Sequence, residues 1–101
     1  MQECQVPTAD MLPNPIRIQI ESCDFDCAKE KAFSEASDQD NSPKLVSWFD
    51  KKHQKYVPEG ECCVEGEPAW LAYGLARQAD LCVDVNNEEF VFLFRRSHGI
   101  P

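Results

Sequence analysis

The sequence predicts an α+β fold: one antiparallel or mixed sheet with two helices on one face, a two-layer sandwich in the order β-α-β(β)-α-β-β. Three observations predict it. Ile16-Arg17-Ile18-Gln19-Ile20-Glu21 alternates strictly between apolar and polar, the signature of a half-buried strand. Residues 81–85 and 88–94 are two apolar runs joined by Asn86-Asn87, the signature of a hairpin. Between these ends, residues 25–36 and 69–79 repeat their apolar side chains at helical spacing.

In chain order, residues 1–15 carry Pro7, Pro13 and Pro15 without apolar periodicity, so they are expected to form a disordered arm. After the first strand, Ser22 or Asp24 can cap a helix, and Asp24 and Asp26 suit the positive end of its dipole. Phe25, Ala28, Ala32, Phe33 and Ala36 then share one stripe, which leaves Cys27 on the opposite side and Cys23 four residues before it. Residues 37–43 are a polar loop ending in Pro43.

Residues 45–50 read as the second strand, and a lysine-rich turn returns the chain through Tyr56-Val57 as a short hairpin that Pro58 stops. Pro68 fits the first position of the second helix. That helix is apolar nearly all round: Trp70, Leu71, Gly74 and Leu75 form one face, and Ala69, Ala72, Tyr73 and Ala76 cover much of the rest. Such a helix needs cover on two sides, so Ala69, Tyr73 and Ala76 are the candidate interface for a second copy of the chain. In the closing hairpin a two-residue turn sets Val83 opposite Phe90 and Leu81 opposite Phe92, with Cys82 facing Val91 and Asp84 facing Glu89 on the other side. Without repeats or a linker, residues 16–95 are expected to be one domain, with 96–101 a flexible tail.

Composition narrows the function. The 101 residues carry a formal net charge of −8, and their 43% hydrophobic and 28% charged residues are ordinary for a globular protein. The ten basic residues are dispersed apart from Lys51, Lys52 and Lys55, which argues against a nucleic-acid partner. No stretch approaches the ~18 apolar residues needed to span a membrane. Met1-Gln2-Glu3 lacks the basic start of an export signal, so a cytoplasmic protein with reduced cysteines is expected.

Six cysteines hold most of the chemistry in view: Cys4, Cys23, Cys27, Cys62, Cys63 and Cys82. Free thiols are expected over a disulfide framework, because no export signal is present. Cys62 and Cys63 lie side by side in Glu59-Gly60-Glu61-Cys62-Cys63-Val64-Glu65-Gly66-Glu67, just before the second helix. With Cys23 and Cys27 they could supply four ligands to a metal ion, although adjacent cysteines aim poorly at one ion. As redox groups they are opposed by Glu61, Glu65 and Glu67, and no Cys-x-x-Cys pair is present. Cys82 is expected to pack within the sheet.

Of the two histidines, His98 is in the tail and His53 in the turn after Trp48-Phe49-Asp50. Trp48, Asp50, His53 and Tyr56 make a polar–aromatic corner, the candidate pocket. Gly-x-Gly-x-x-Gly, Walker, His-Glu-x-x-His and Gly-x-Ser-x-Gly patterns are absent, so no catalytic residue is assigned and no cofactor beyond a candidate metal ion is implied.

Ser47-Trp48-Phe49-Asp50, Glu61-Cys62-Cys63, Pro68-Ala69-Trp70, Tyr73, Val83-Asp84-Val85-Asn86 and Phe90-Val91-Phe92 together resemble a small family of uncharacterised single-domain proteins. These come from sulfate-reducing and related anaerobic prokaryotes and form a domain of unknown function. The resemblance covers residues 16–95 and implies a cytoplasmic, anaerobic setting; it brings no activity, cofactor or site residue with it. The reading that follows is a small non-enzymatic binding or interaction domain, a homodimer through its second helix. The alternative is a thiol-dependent metal-binding or redox protein that uses Cys62 and Cys63 with Cys23 or Cys27.

Overall fold

A computed structural model describes residues 7, 9–12, 14–21, 24–39, 42–57 and 68–96. After a single 3-10 turn at Ala9–Met11, the elements are β1 (Pro15–Ile18), α1 (Phe25–Gln39), β2 (Lys44–Asp50), β3 (Lys55–Val57), α2 (Ala69–Ala76), β4 (Leu81–Val85) and β5 (Phe90–Arg95). The strands form one open sheet in the order β1-β4-β5-β2-β3. β1 runs parallel to β4, and the other neighbours are antiparallel. The α+β class and the mixed sheet are those predicted.

α1 begins where Asp24 caps it: Asp24 Oδ1 accepts the Cys27 N–H at 2.9 Å, and its carbonyl accepts the Ala28 N–H. Ala28, Ala32 and Ala36 recur every fourth residue and are fully buried. Side chains this small let the helix lie close on Leu81, Val83, Val85, Phe90, Phe92 and Phe94. That packing lays one helix on one face of the sheet.

The placing of the helices departs from the prediction. They cover opposite faces of the sheet, not one. α2 buries Trp70 and Leu71 against Phe49, Val91, Leu93 and Cys82, on the face away from α1, where Leu12 and Ala79 also pack. The reason is in the central strands. β4 is buried at all five positions and β5 at its first five, so Phe90, Phe92 and Phe94 need cover on one side while Val91 and Leu93 need it on the other.

The register of the closing hairpin is also corrected. Val83 lies opposite Phe92 and Leu81 opposite Phe94, two residues from the predicted pairing. The turn has four residues, and Asn86, Asn87 and Glu88 all hold positive φ (55, 53 and 66°). Two side chains fix it. Asp84 Oδ1 accepts the Glu88 N–H at 2.6 Å. Asn86 grips Ile20, its Oδ1 accepting the Ile20 N–H at 2.7 Å and its Nδ2 donating to the Ile20 carbonyl at 2.9 Å. A shift of two preserves the face of every side chain. It also sets Asp84 opposite Val91 and not Glu89.

Two further readings change. α2 stops at Ala76, short of Ala79, because Gln78 turns left-handed at φ 71°. The Ala79 N–H then bonds the Gly74 carbonyl at 2.9 Å and the Gln78 N–H bonds Leu75 at 3.0 Å, which is a Schellman closure. Cys27 does not point away from the stripe: it is half-buried and packs on the α1-side core. Nor is it a free thiol. Cys27 is disulfide-bonded.

Candidate functional site

The corner built by β2, β3 and the start of α1 brings the four predicted pocket residues together. Strand alternation puts Trp48 and Asp50 on the α1 face of β2, and the β3 register sets Val57 beside Trp48 and Lys55 beside Asp50. Phe25, the first residue of α1, closes the inner wall. Its ring lies 6.0 Å from Trp48, 6.2 Å from Phe90 and 5.6 Å from Phe92, centroid to centroid. The result is a cleft of about 400 Å³ lined by Phe25, Trp48, Asp50, His53, Lys55, Tyr56 and Val57.

Asp50 organises the polar side of the cleft. It is 4% exposed, and its two oxygens hold the same residue. Oδ1 accepts the His53 backbone N–H at 3.0 Å, and Oδ2 lies 2.7 Å from His53 Nδ1. The first bond closes the turn, which Gln54 completes at a positive φ of 54°. The second sets the ring. A carboxylate only accepts, so Nδ1 carries a proton and Nε2 becomes the nitrogen offered to the cleft. Half of the His53 side chain remains exposed.

The predicted thiol set is not brought together among the described residues. Cys23, Cys62 and Cys63 lie outside them, and Cys27 is disulfide-bonded. Among the described residues no group of three or more His, Cys, Asp or Glu side chains could hold a metal ion. Cys82 is fully buried in β4 as predicted; burial first, then the charge of Asp84, pushes its thiol far up, so no thiolate forms there.

On α2, Ala69 and Tyr73 are half-buried and Ala76 is exposed. The Arg77 guanidinium stands 4.5 Å over the Tyr73 ring. Leu75, at 37%, is the exposed large hydrophobic side chain among the described residues.

A second polar cluster lies at the β1–β4 end. Arg17 Nη1 reaches Asp84 Oδ2 at 2.9 Å and Glu88 Oε2 at 3.3 Å, with Asp84 1% exposed. The Glu88 carboxyl is held above its ordinary range, chiefly because its acid form bonds to Asp84, then through partial burial and the Asp84 charge; Arg17 opposes the shift. Arg17 thereby pairs the acid that β4 buries.

Sequence reasoning missed three cleft residues. Val57 and Lys55 were legible in principle, since a tight hairpin after Asp50 sets them beside Trp48 and Asp50. Phe25 arrives only through the packing of α1, and no local signal marks it.

Fold and corner define a small α+β domain with an aromatic cleft in which a buried aspartate holds a histidine. The chain belongs to the family described as a domain of unknown function (DUF5619), which matches residues 13–94. The chain is similar in structure to a protein of Archeoglobus fulgidus DSM 4304, described as the novel non-family-model protein AF1514 and solved by crystallography. The TM-score is 0.74 at 28% identity, over 87% of this chain and 99% of that one. No curated protein matches the chain.

Proposed function

We propose that the protein is a non-enzymatic binding domain that takes a small ligand in the cleft between α1 and the β2–β3 hairpin. The observation that carries this reading is the engagement of both Asp50 oxygens by His53. It fixes the imidazole while leaving the acid without a role toward a substrate, and no Ser, Thr or Cys is among the described lining residues for the imidazole to activate. The volume and the aromatic walls suit a small molecule.

The test is a titration of isotope-labelled protein with a fragment set, followed by amide and indole shifts. Shifts centred on the Trp48 indole and the His53 and Val57 amides, with every fragment recovered unchanged, support the reading. Shifts confined to other surfaces, or turnover of a fragment, sink it.

A second copy of the chain is the partner that fits α2. Leu75 and Ala76 are exposed on a helix without a charged residue, which supports packing there together with Ala69 and Tyr73. Sedimentation should show self-association that Leu75→Lys abolishes; a strict monomer at high concentration removes this part. The net charge of −8 supports a reading without nucleic acid, and no helix among the described residues is long and apolar enough to cross a membrane. The thiol-dependent alternative is addressed by metal analysis of protein purified without oxygen.

A further inference from the structure

We infer that the cleft takes a small organic anion, an aromatic or branched aliphatic carboxylate. Its acid group would meet Lys55 and His53, and its apolar part would lie over Trp48 and Val57. This inference rests on the cleft being the binding site. An ion pair expected at the cleft is missing. Lys55 lies directly opposite Asp50 across the β2–β3 ladder, where a lysine and an aspartate ordinarily compensate one another. Here Asp50 turns both oxygens to His53, and Lys55 makes no ion pair among the described residues. The strand therefore delivers an ammonium to the cleft and keeps its natural counter-ion away.

The other groups have the same sense. His53 holds Asp50 through Nδ1, which leaves Nε2 as the ring nitrogen turned outward to a ligand. Lys29 stands 5.7 Å from the Trp48 ring centroid, a further cation at the cleft's edge. Among the described lining residues the only acid is Asp50, which is nearly buried and engaged by His53, so they offer a ligand cation no free carboxylate. A chain of net charge −8 repels anions at long range, which makes this local cluster of cations the more selective. Phe25, Trp48 and Val57 supply the apolar floor. A carboxylate on a ring or a branched chain matches both halves, and about 400 Å³ limits it to a small molecule.

Three probes of one shape decide it: 3-phenylpropionate, the neutral 3-phenylpropanamide and the cationic 3-phenylpropylamine, each titrated into the labelled full chain. The carboxylate should shift the Trp48 indole and the Val57 and His53 amides with a Kd on the order of 1 mM. The amide should bind about tenfold more weakly and the amine should leave those signals still. Lys55→Gln, a change on an exposed edge strand, should weaken the carboxylate about tenfold without altering the amide. Equal binding by all three probes, or tighter binding by the amine, overturns the anion inference and leaves the cleft reading standing. Silence from all three at those signals overturns both.

Discussion

Gly74 of α2 lies so close to Leu93 of β5 that a methyl group on residue 74 would stand 2.6 Å from Leu93 Cδ1, and 2.7 Å from Ser47 Oγ. The absent side chain lets α2 seat Trp70 flat on Phe49, ring planes 4° apart at 5.3 Å. Gly74→Ala should gain up to ~1 kcal/mol in helix propensity. It should lose more than that to overpacking, roughly 1–3 kcal/mol before the helix lifts from the sheet. The urea midpoint should fall.

Ser47 sharpens the same prediction. Its hydroxyl is buried under α2 and meets no hydrogen-bond partner among the described residues. Ser47→Ala should leave stability unchanged or raise it by about 1 kcal/mol, since a buried donor without a partner carries only its desolvation cost. Combined with Gly74→Ala it should recover part of the loss, because one of the two obstructing atoms is gone. Strict additivity of the two changes in urea unfolding would refute the shared contact.

Gln78 holds a left-handed conformation that favours glycine, at φ 71°. Its side chain is exposed, so nothing is lost with it. Gln78→Gly should raise the stability of the domain by up to ~1 kcal/mol, since a side chain in that region costs roughly 1–2 kcal/mol and glycine's extra freedom in the unfolded chain returns part of it. Thermal unfolding followed by circular dichroism checks this; a lower midpoint would mean that the Schellman closure is not what ends α2.

Glu88 gives the pH dependence. Its carboxyl is held above the ordinary range in the fold, so the native state binds that proton more tightly than the unfolded chain. Its contribution is fully present below the unfolded-state value and is lost as pH rises through the folded-state value. Glu88→Gln keeps a donor for Asp84 and an acceptor for Arg17 without titrating. Its stability relative to the natural protein should therefore grow as pH rises through the ordinary glutamate value of 4.5 toward the raised folded-state value. Urea midpoints at several pH values measure it, and a difference constant with pH would rule the linkage out.

The elements of this fold were legible because their signals are local. Ile16 and Ile18 alternate, Ala28, Ala32 and Ala36 recur at helical spacing, and Pro68 opens α2. The face of each helix was legible too, in a signal that needed different weighing. Phe90-Val91-Phe92-Leu93-Phe94 is unbroken, and a strand without polar positions is covered on both sides. The hairpin register was not legible, since three successive left-handed residues depend on Asp84 and Asn86 bonding to Glu88 and Ile20, and Ile20 is distant in sequence. For the cleft, Trp48, Asp50, His53 and Tyr56 were found through their nearness along the chain. Phe25 was not, because α1 has to dock before it reaches Trp48.

Arg17 and Asp84 are 67 residues apart in the chain and 2.9 Å apart in the fold. Parallel β1–β4 pairing therefore closes a loop spanning most of the domain, the slow kind of contact in folding. During synthesis β1 leaves the ribosome first and meets its partner strand nearly last. The Arg17–Asp84 pair therefore forms only once β4 has been made, and it then ties the two ends of the domain along one sheet edge.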